Sequence, residues 1–191
     1  VHEVRASADA VRVARAVEAA RSSARTAAEE VEQANAAYYA AMEAGDFDAL
    51  AGLWLDTTDD VNDGDGSDIA CVHPGWPVLS GRGEVLRSYA VIMANTEYIQ
   101  FFLTDVAVTV HGQTALLTCT ENILSGAPAP EDEEGPGPLL GQLVVATNLF
   151  RRTAAGWRLW SHHASPVLTR DDDEEDGPDE ESRGPGDATP A

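Results

Sequence analysis

The closing segment GWRLWSHHASPV (156–167) holds two of the five histidines side by side. In a strand, Trp157, Leu159, Ser161 and His163 share one face, and Arg158, Trp160 and His162 share the other. Arg158 marks the second face as the less buried, so His163 is expected to point inward and His162 outward. An inward, neutral imidazole near pH 7 can take or give a proton; equally, it can be a hydrogen-bonded core residue. Glu121 shares parity with Ala115, Leu117, Cys119 and Ile123, a face otherwise free of charge. Burial there raises a carboxyl pKa, as a general base working beside a carbonyl requires. The structural alternative is an ion pair across a hairpin with Arg151 or Arg152. Asn122 lies with Thr118 and Thr120 on the opposite face, so it and Glu121 cannot both line one cavity unless a bulge intervenes. Asn148, between Ala146 and Phe150 on its face, must find a partner if buried.

The segment CVHPGW (71–76) sets Cys71 and His73 on one side of a short strand. Two ligand types at i, i+2 with no CxxC or HxxxH do not make a metal site, and neither a metal nor another cofactor is expected. A Cys–His nucleophilic pair is disfavoured as well, because same-face neighbours on a strand run parallel rather than facing each other. His73 and Trp76 are expected as pocket wall. Tyr38, Trp54 and Tyr89 sit at helical spacing and serve either as core or as aromatic lining of a small-molecule pocket.

Charge narrows the partners. The net charge is -21, but twenty of the 33 acids fall in three stretches (56–68, 131–134 and 171–191) whose only base is Arg183. The remainder is nearly balanced and has no basic patch, so nucleic acid is not an expected partner. All 12 basic residues are arginine and alanine is abundant, as a GC-rich, actinobacterial genome would encode. No apolar run approaches the roughly 18 residues of a membrane span, and no secretory h-region is present. Two cysteines are no disulfide framework, so a cytoplasmic location is expected. The acids of 56–68 match no calcium-loop register and read as a solvated loop; 126–138 reads as a long hairpin connection, and 169–191 as a disordered acidic tail.

The elements that must position these groups follow from periodicity. Residues 4–44 lack proline and glycine, and Val13, Val17, Ala20, Ala24, Ala27, Val31, Ala34, Tyr38 and Ala41 form a heptad-like seam. Thr26 with Glu29 marks a restart, giving a helix over 27–44 preceded by a loosely attached helical arm, 1–26. Gly45 ends that helix and Asp46 caps a shorter one. Short extended pieces at 69–73 and 78–80 precede a helix over 82–95. Long strands then start near 96, 114, 141 and 156. Ile99, Phe101 and Leu103 have one parity and Val106, Val108 and Val110 the other, so a bulge is expected near Thr104–Asp105.

This order is α+β, with a curved antiparallel sheet packed on N-terminal helices around a cone-like hollow. Helix–GDFDAL–helix, then CVHPGWPVLSGR, then GWRLWSHHASP with its Gly156–Trp157 and His163–Ala164–Ser165, resembles the SnoaL-like branch of the nuclear-transport-factor-two-like superfamily. The superfamily also holds ketosteroid isomerases and polyketide cyclases. The resemblance spans about 27–168 and implies a cone domain, a pocket between helices and concave sheet, and commonly a homodimer. Trp160 beside Arg158 on the outer face fits such an interface. Two functions are then open. One is a pocket binding a small, largely apolar molecule, with isomerase- or cyclase-like acid–base chemistry by Glu121 or His163. The other is a non-catalytic homodimerisation module. Catalytic relatives place an aspartate or an acid–base pair in the cavity; here no inward aspartate is assigned, Asp105 lying at the suspected bulge.

Overall fold

Helix α1 (His2–Ala44) runs without a break in the computed structural model, which describes residues 2–56, 69–126 and 138–168. Most of the acidic loop, the hairpin connection and the acidic tail lie outside the described residues. Thr26 does not restart the helix. Its hydroxyl donates to the Ser22 carbonyl one turn back (3.1 Å), a bond that leaves the helix intact. The seam nonetheless divides at this point. Val31, Asn35, Tyr38, Tyr39 and Met42 are buried, whereas every side chain from 9 to 26 is exposed, Val13 by 63%. Gly45, at φ +64°, ends α1 with bonds from its N–H to Met42 O (3.2 Å) and from the Asp46 N–H to Ala41 O (2.9 Å). Asp46 then caps α2 (Phe47–Leu53) through a bond from the Ala49 N–H (2.9 Å).

Six strands form one open sheet: β1 (Ala70–Val72), β2 (Leu79–Ser80), β3 (Tyr98–His111), β4 (Thr114–Gly126), β5 (Leu139–Thr153) and β6 (Gly156–Pro166), in the order β2-β1-β6-β5-β4-β3. Its pairings are antiparallel except that of β1 with β6, which is parallel, so the sheet is mixed rather than wholly antiparallel. The β1–β2 connection turns at Pro74–Gly75, where the Trp76 N–H reaches His73 O (2.9 Å) and Gly75 takes φ +80°. Helix α3 (Arg82–Ala94) follows and buries Val85, Ser88 and Tyr89. Arg82 joins α3 to α2. Its guanidinium donates to the carbonyls of Ala51, Trp54 and Leu55 at 2.8–3.0 Å, satisfying the end of α2.

Two ladders slip by a residue. Between β3 and β4 the register shifts from Thr104 to Ala107, and Asp105 there adopts φ +52°. Between β5 and β6, Phe150 pairs with Leu159 and Leu149 with Ser161, leaving Trp160 extra. This second bulge corrects the expected facing of the histidines. Trp157 and Leu159 point inward, but past Trp160 the parity reverses, so His162 is buried (4% exposed) and His163 is exposed. Trp160 is half-buried, with the Arg151 guanidinium over its ring at 4.9 Å.

Candidate functional site

A cavity of about 220 Å³ lies between α1, α3, the β1–β2 turn and the concave face of the sheet. Tyr38, Tyr39, His73, Trp76, Tyr89, Phe101, Glu121 and His162 line it, together with aliphatic side chains and the polar Thr96, Ser125 and Gln142; no arginine or lysine is among the described lining residues. A larger groove of about 660 Å³ runs between α1 and β3, lined by Glu29, Glu32, Gln33, Leu103 and Val106. It is open to solvent, and the groups with shifted proton affinities are not there. The buried Glu121, His73 and His162 line the smaller space instead.

Glu121 reaches the cavity because β4 alternates strictly, with Ala115, Leu117 and Cys119 buried on the same face. Only 2% of the residue is exposed. Neither arginine pairs with it: Arg152 bonds Glu30 (3.0 Å), and Arg151 stacks on Trp160. Its partner is Tyr39, whose hydroxyl donates to Oε1 at 2.5 Å. Burial drives the Glu121 pKa up, the Tyr39 bond pulls it part of the way back, and the balance is about 7. Among the described residues, Trp54 Nε1 is the one fully enclosed side-chain N or O without a partner. Glu121 Oε2, which makes no bond to the described residues, is therefore open to the cavity. Asn122 points the other way and donates to Phe102 O (2.9 Å).

His162 is held from behind. Its Nδ1 lies 2.6 Å from Asn148 Oδ1, and Asn148 Nδ2 donates to Asn35 Oδ1 (2.7 Å) and to the Tyr39 hydroxyl (3.3 Å). Burial, with lesser contributions from His73 and His163, lowers the His162 pKa to about 3. Burial likewise lowers His73 to about 4. The Ser88 hydroxyl donates to Val85 O (2.7 Å), so it accepts from His73 Nε2 (2.8 Å) and fixes that ring's tautomer. Both rings are neutral at pH 7. The Tyr38 and Tyr89 hydroxyls bond each other (2.7 Å), and burial raises both pKa values. Cys71 lies 3.7–3.8 Å from both nitrogens of His73, a contact with the ring rather than a bond aimed at one lone pair. Burial pushes the thiols of Cys71 and Cys119 up to about 12 and about 11, so neither is a nucleophile at neutral pH.

Of the residues singled out from sequence, Glu121, Tyr38, His73, Tyr89 and Trp76 meet at the cavity. Trp76, 42% exposed, stands at the mouth with its ring 5.3 Å from that of His73. Trp54 does not reach the space and packs against Tyr89 in the core (5.9 Å between rings). Asn148 sits one layer behind it, and His163 lies on the outer face near Ser165 (3.2 Å). Sequence reasoning missed His162, Tyr39, Asn35 and Ser88. Asn35 and Tyr39 continue the buried stripe of Val31 at i+4 steps, a signal present in the sequence. No group of three His, Cys, Asp or Glu among the described residues is placed to hold a metal ion. No described helix is long and apolar enough to cross a membrane.

Residues 31–169 match the model of the SnoaL-like domain family. No curated protein matches the chain. A solved structure from Streptomyces avermitilis, a candidate dehydratase of the NTF2-like family, is 68% identical over 76% of this chain and 99% of its own, with a TM-score of 0.71. A candidate association domain of calcium/calmodulin-dependent protein kinase type II from Thiobacillus denitrificans is 28% identical, covers 72% of this chain and 94% of its own, and has a TM-score of 0.54. A ketosteroid isomerase-like protein from Erwinia carotovora atroseptica shares the fold at 17% identity and a TM-score of 0.57, over 74% of this chain and 97% of its own. With its helices packed on a mixed curved sheet around a cavity, the chain belongs to the SnoaL-like domain family of NTF2-like proteins.

Proposed function

We propose that the cavity binds an uncharged, largely apolar small molecule and that Glu121 removes a proton from a carbon beside its carbonyl. One observation carries this reading: a carboxyl enclosed among aromatic rings, balanced near pH 7, with Oε2 open to the cavity. A base is most effective when its pKa lies close to the working pH. His162, at about 3, is too weak a base to compete. In the step, the C–H proton passes to Oε2 and its electron pair moves through the carbonyl to leave an enolate oxygen. Of the two phenolic protons of Tyr38 and Tyr89, one bridges the pair. The other is left to donate to the enolate oxygen or to the Cys71 sulfur, 3.6 Å from the Tyr89 hydroxyl. Returning the proton to a different carbon isomerises the substrate. Giving it to a departing β-hydroxyl releases water, the chemistry for which the Streptomyces relative is named. Deuterium uptake by 2-tetralone in heavy water tests the step. The protein should accelerate exchange over buffer, and Glu121→Gln should lower the rate at least about a hundredfold. Equal rates with and without protein would remove the proposal.

The outer face of the sheet supports homodimerisation alongside this activity. Phe102, Leu116, Leu143 and Val145 are exposed there in neighbouring strands. Light scattering should give twice the chain mass, and Trp160→Glu should shift it toward one.

A further inference from the structure

We infer that His162 is the ligand-reading acceptor of this cavity: its Nε2 takes a hydrogen bond from a hydroxyl on the bound molecule, so the pocket selects uncharged hydroxylated ring compounds. The inference rests on the cavity being a ligand site, but not on proton abstraction by Glu121.

The polarity of Nε2 is set by a chain of bonds in which each link leaves no choice for the next. The Tyr39 hydroxyl has one proton and spends it on Glu121 Oε1 (2.5 Å). The Glu121 carboxylate accepts at Oε1, and a carboxyl protonated on its open Oε2 does so as well. Toward Asn148, 3.3 Å away, Tyr39 can therefore only accept, which turns the Asn148 amide nitrogen to Tyr39 and to Asn35 Oδ1. Asn148 Oδ1 is left to face His162 Nδ1 at 2.6 Å, and the imidazole must carry its proton there. In a neutral ring, Nε2 is then a bare lone pair. This is the less common form of a histidine free in water.

Nε2 makes no bond to any of the described residues, although only 4% of His162 is exposed. Among the described residues it is not one of the sealed, partnerless atoms. Its opening is into the cavity that His162 lines. An enclosed acceptor left empty is unfavourable, so a ligand donor there is favoured over an apolar group. The walls supply the rest of the selectivity. Tyr38, Tyr89 and Phe101 present rings, no cation is among the described lining residues to receive an anion, and about 220 Å³ limits the ligand to a small molecule. Of the two arginines of α3, Arg82 is occupied with the α2 carbonyls and Arg87 is exposed outside the lining.

The experiment compares 2-naphthol with 2-methylnaphthalene, similar in size and differing in the hydroxyl, by equilibrium dialysis against the full chain. The wild type should prefer 2-naphthol about fivefold or more, and His162→Phe should erase the preference. In parallel, ¹⁵N NMR of histidine-labelled wild type should show His162 protonated on Nδ1 between pH 6 and 8; this needs no variant to fold. A ring protonated on Nε2 would overturn the inference, as would an unchanged preference in His162→Phe. Equal binding of both compounds ends the inference and leaves the pocket standing. If neither compound binds, the pocket reading falls and takes the inference with it.

Discussion

Strands β3 and β6 each contain one slipped residue, and the slip has different consequences in the two. In β3, at the edge of the sheet, it falls at Asp105, whose side chain accepts from Thr120 Oγ1 (3.1 Å) on the outer face. The residues whose facing it resets, Val108 and Val110, pack on the core as Phe101 and Leu103 do before it. In β6, inside the sheet, the slip falls at Trp160 and decides which of two adjacent histidines enters the cavity. A bulge is thus mechanical in one strand and chemical in the other. The strand's own apolar pattern does not say which it will be.

Truncating the two histidines separately should give the largest contrast. His162→Ala leaves Asn148 Oδ1 without its donor and opens a void, for an expected loss of roughly 2–4 kcal/mol. His163→Ala, on the exposed face, should stay within about 0.5 kcal/mol. Urea unfolding of both variants decides it; comparable losses would mean that the β6 bulge is misplaced.

The inward face should also dominate the pH dependence of stability. Glu121 has a raised folded pKa, so it favours folding below about pH 4.5, and that contribution fades as pH rises through about 7. His73 and His162 have lowered values; their contribution is present above about 6.5 and is lost as pH falls toward 4 and 3. Glu121→Gln removes the first slope alone. Relative to wild type it should gain stability between pH 5 and 8, by at most roughly 3 kcal/mol. Melting curves at several pH values show the tilt; parallel curves would place Glu121 in contact with water.

The smallest effect belongs to the edge bulge. Asp105→Gly relieves the positive φ but loses the Thr120 bond, and should be nearly neutral. Asp105→Ala keeps the strain and loses the bond, so it should be less stable than the glycine variant by about 1 kcal/mol. Identical melting of the two would show that the slip lies elsewhere in β3.

The contrast between the strands also explains what could be read from the residues. The β3 bulge was legible because apolar residues of opposite parity bracket it, Phe101 and Leu103 on one side, Val108 and Val110 on the other. In β6 the residues after Trp160 are Ser161, His162, His163 and Ala164, too polar to carry a parity, so alternation from Trp157 pointed to the wrong histidine. Glu121 was legible because its strand alternates without a slip. The cap at Asp46 and the stop at Gly45 were legible because they act within one turn of chain. The restart at Thr26 was misread because its hydroxyl found a carbonyl inside the helix instead.

The order of elements, the family resemblance, the burial of Glu121 and the aromatic character of the wall are written in the residues alone. These depend on local propensity and on periodicity of two or about 3.6 residues. Packing alone made Tyr39 the partner of Glu121, 82 positions away, and brought together Asn35 and Asn148, 113 positions apart, to orient His162. It also decided that Trp54 lies behind the cavity rather than in it. A hydrogen-bond partner is chosen by distances of about 3 Å, and packing helix on sheet sets those distances without leaving a periodic trace in either segment.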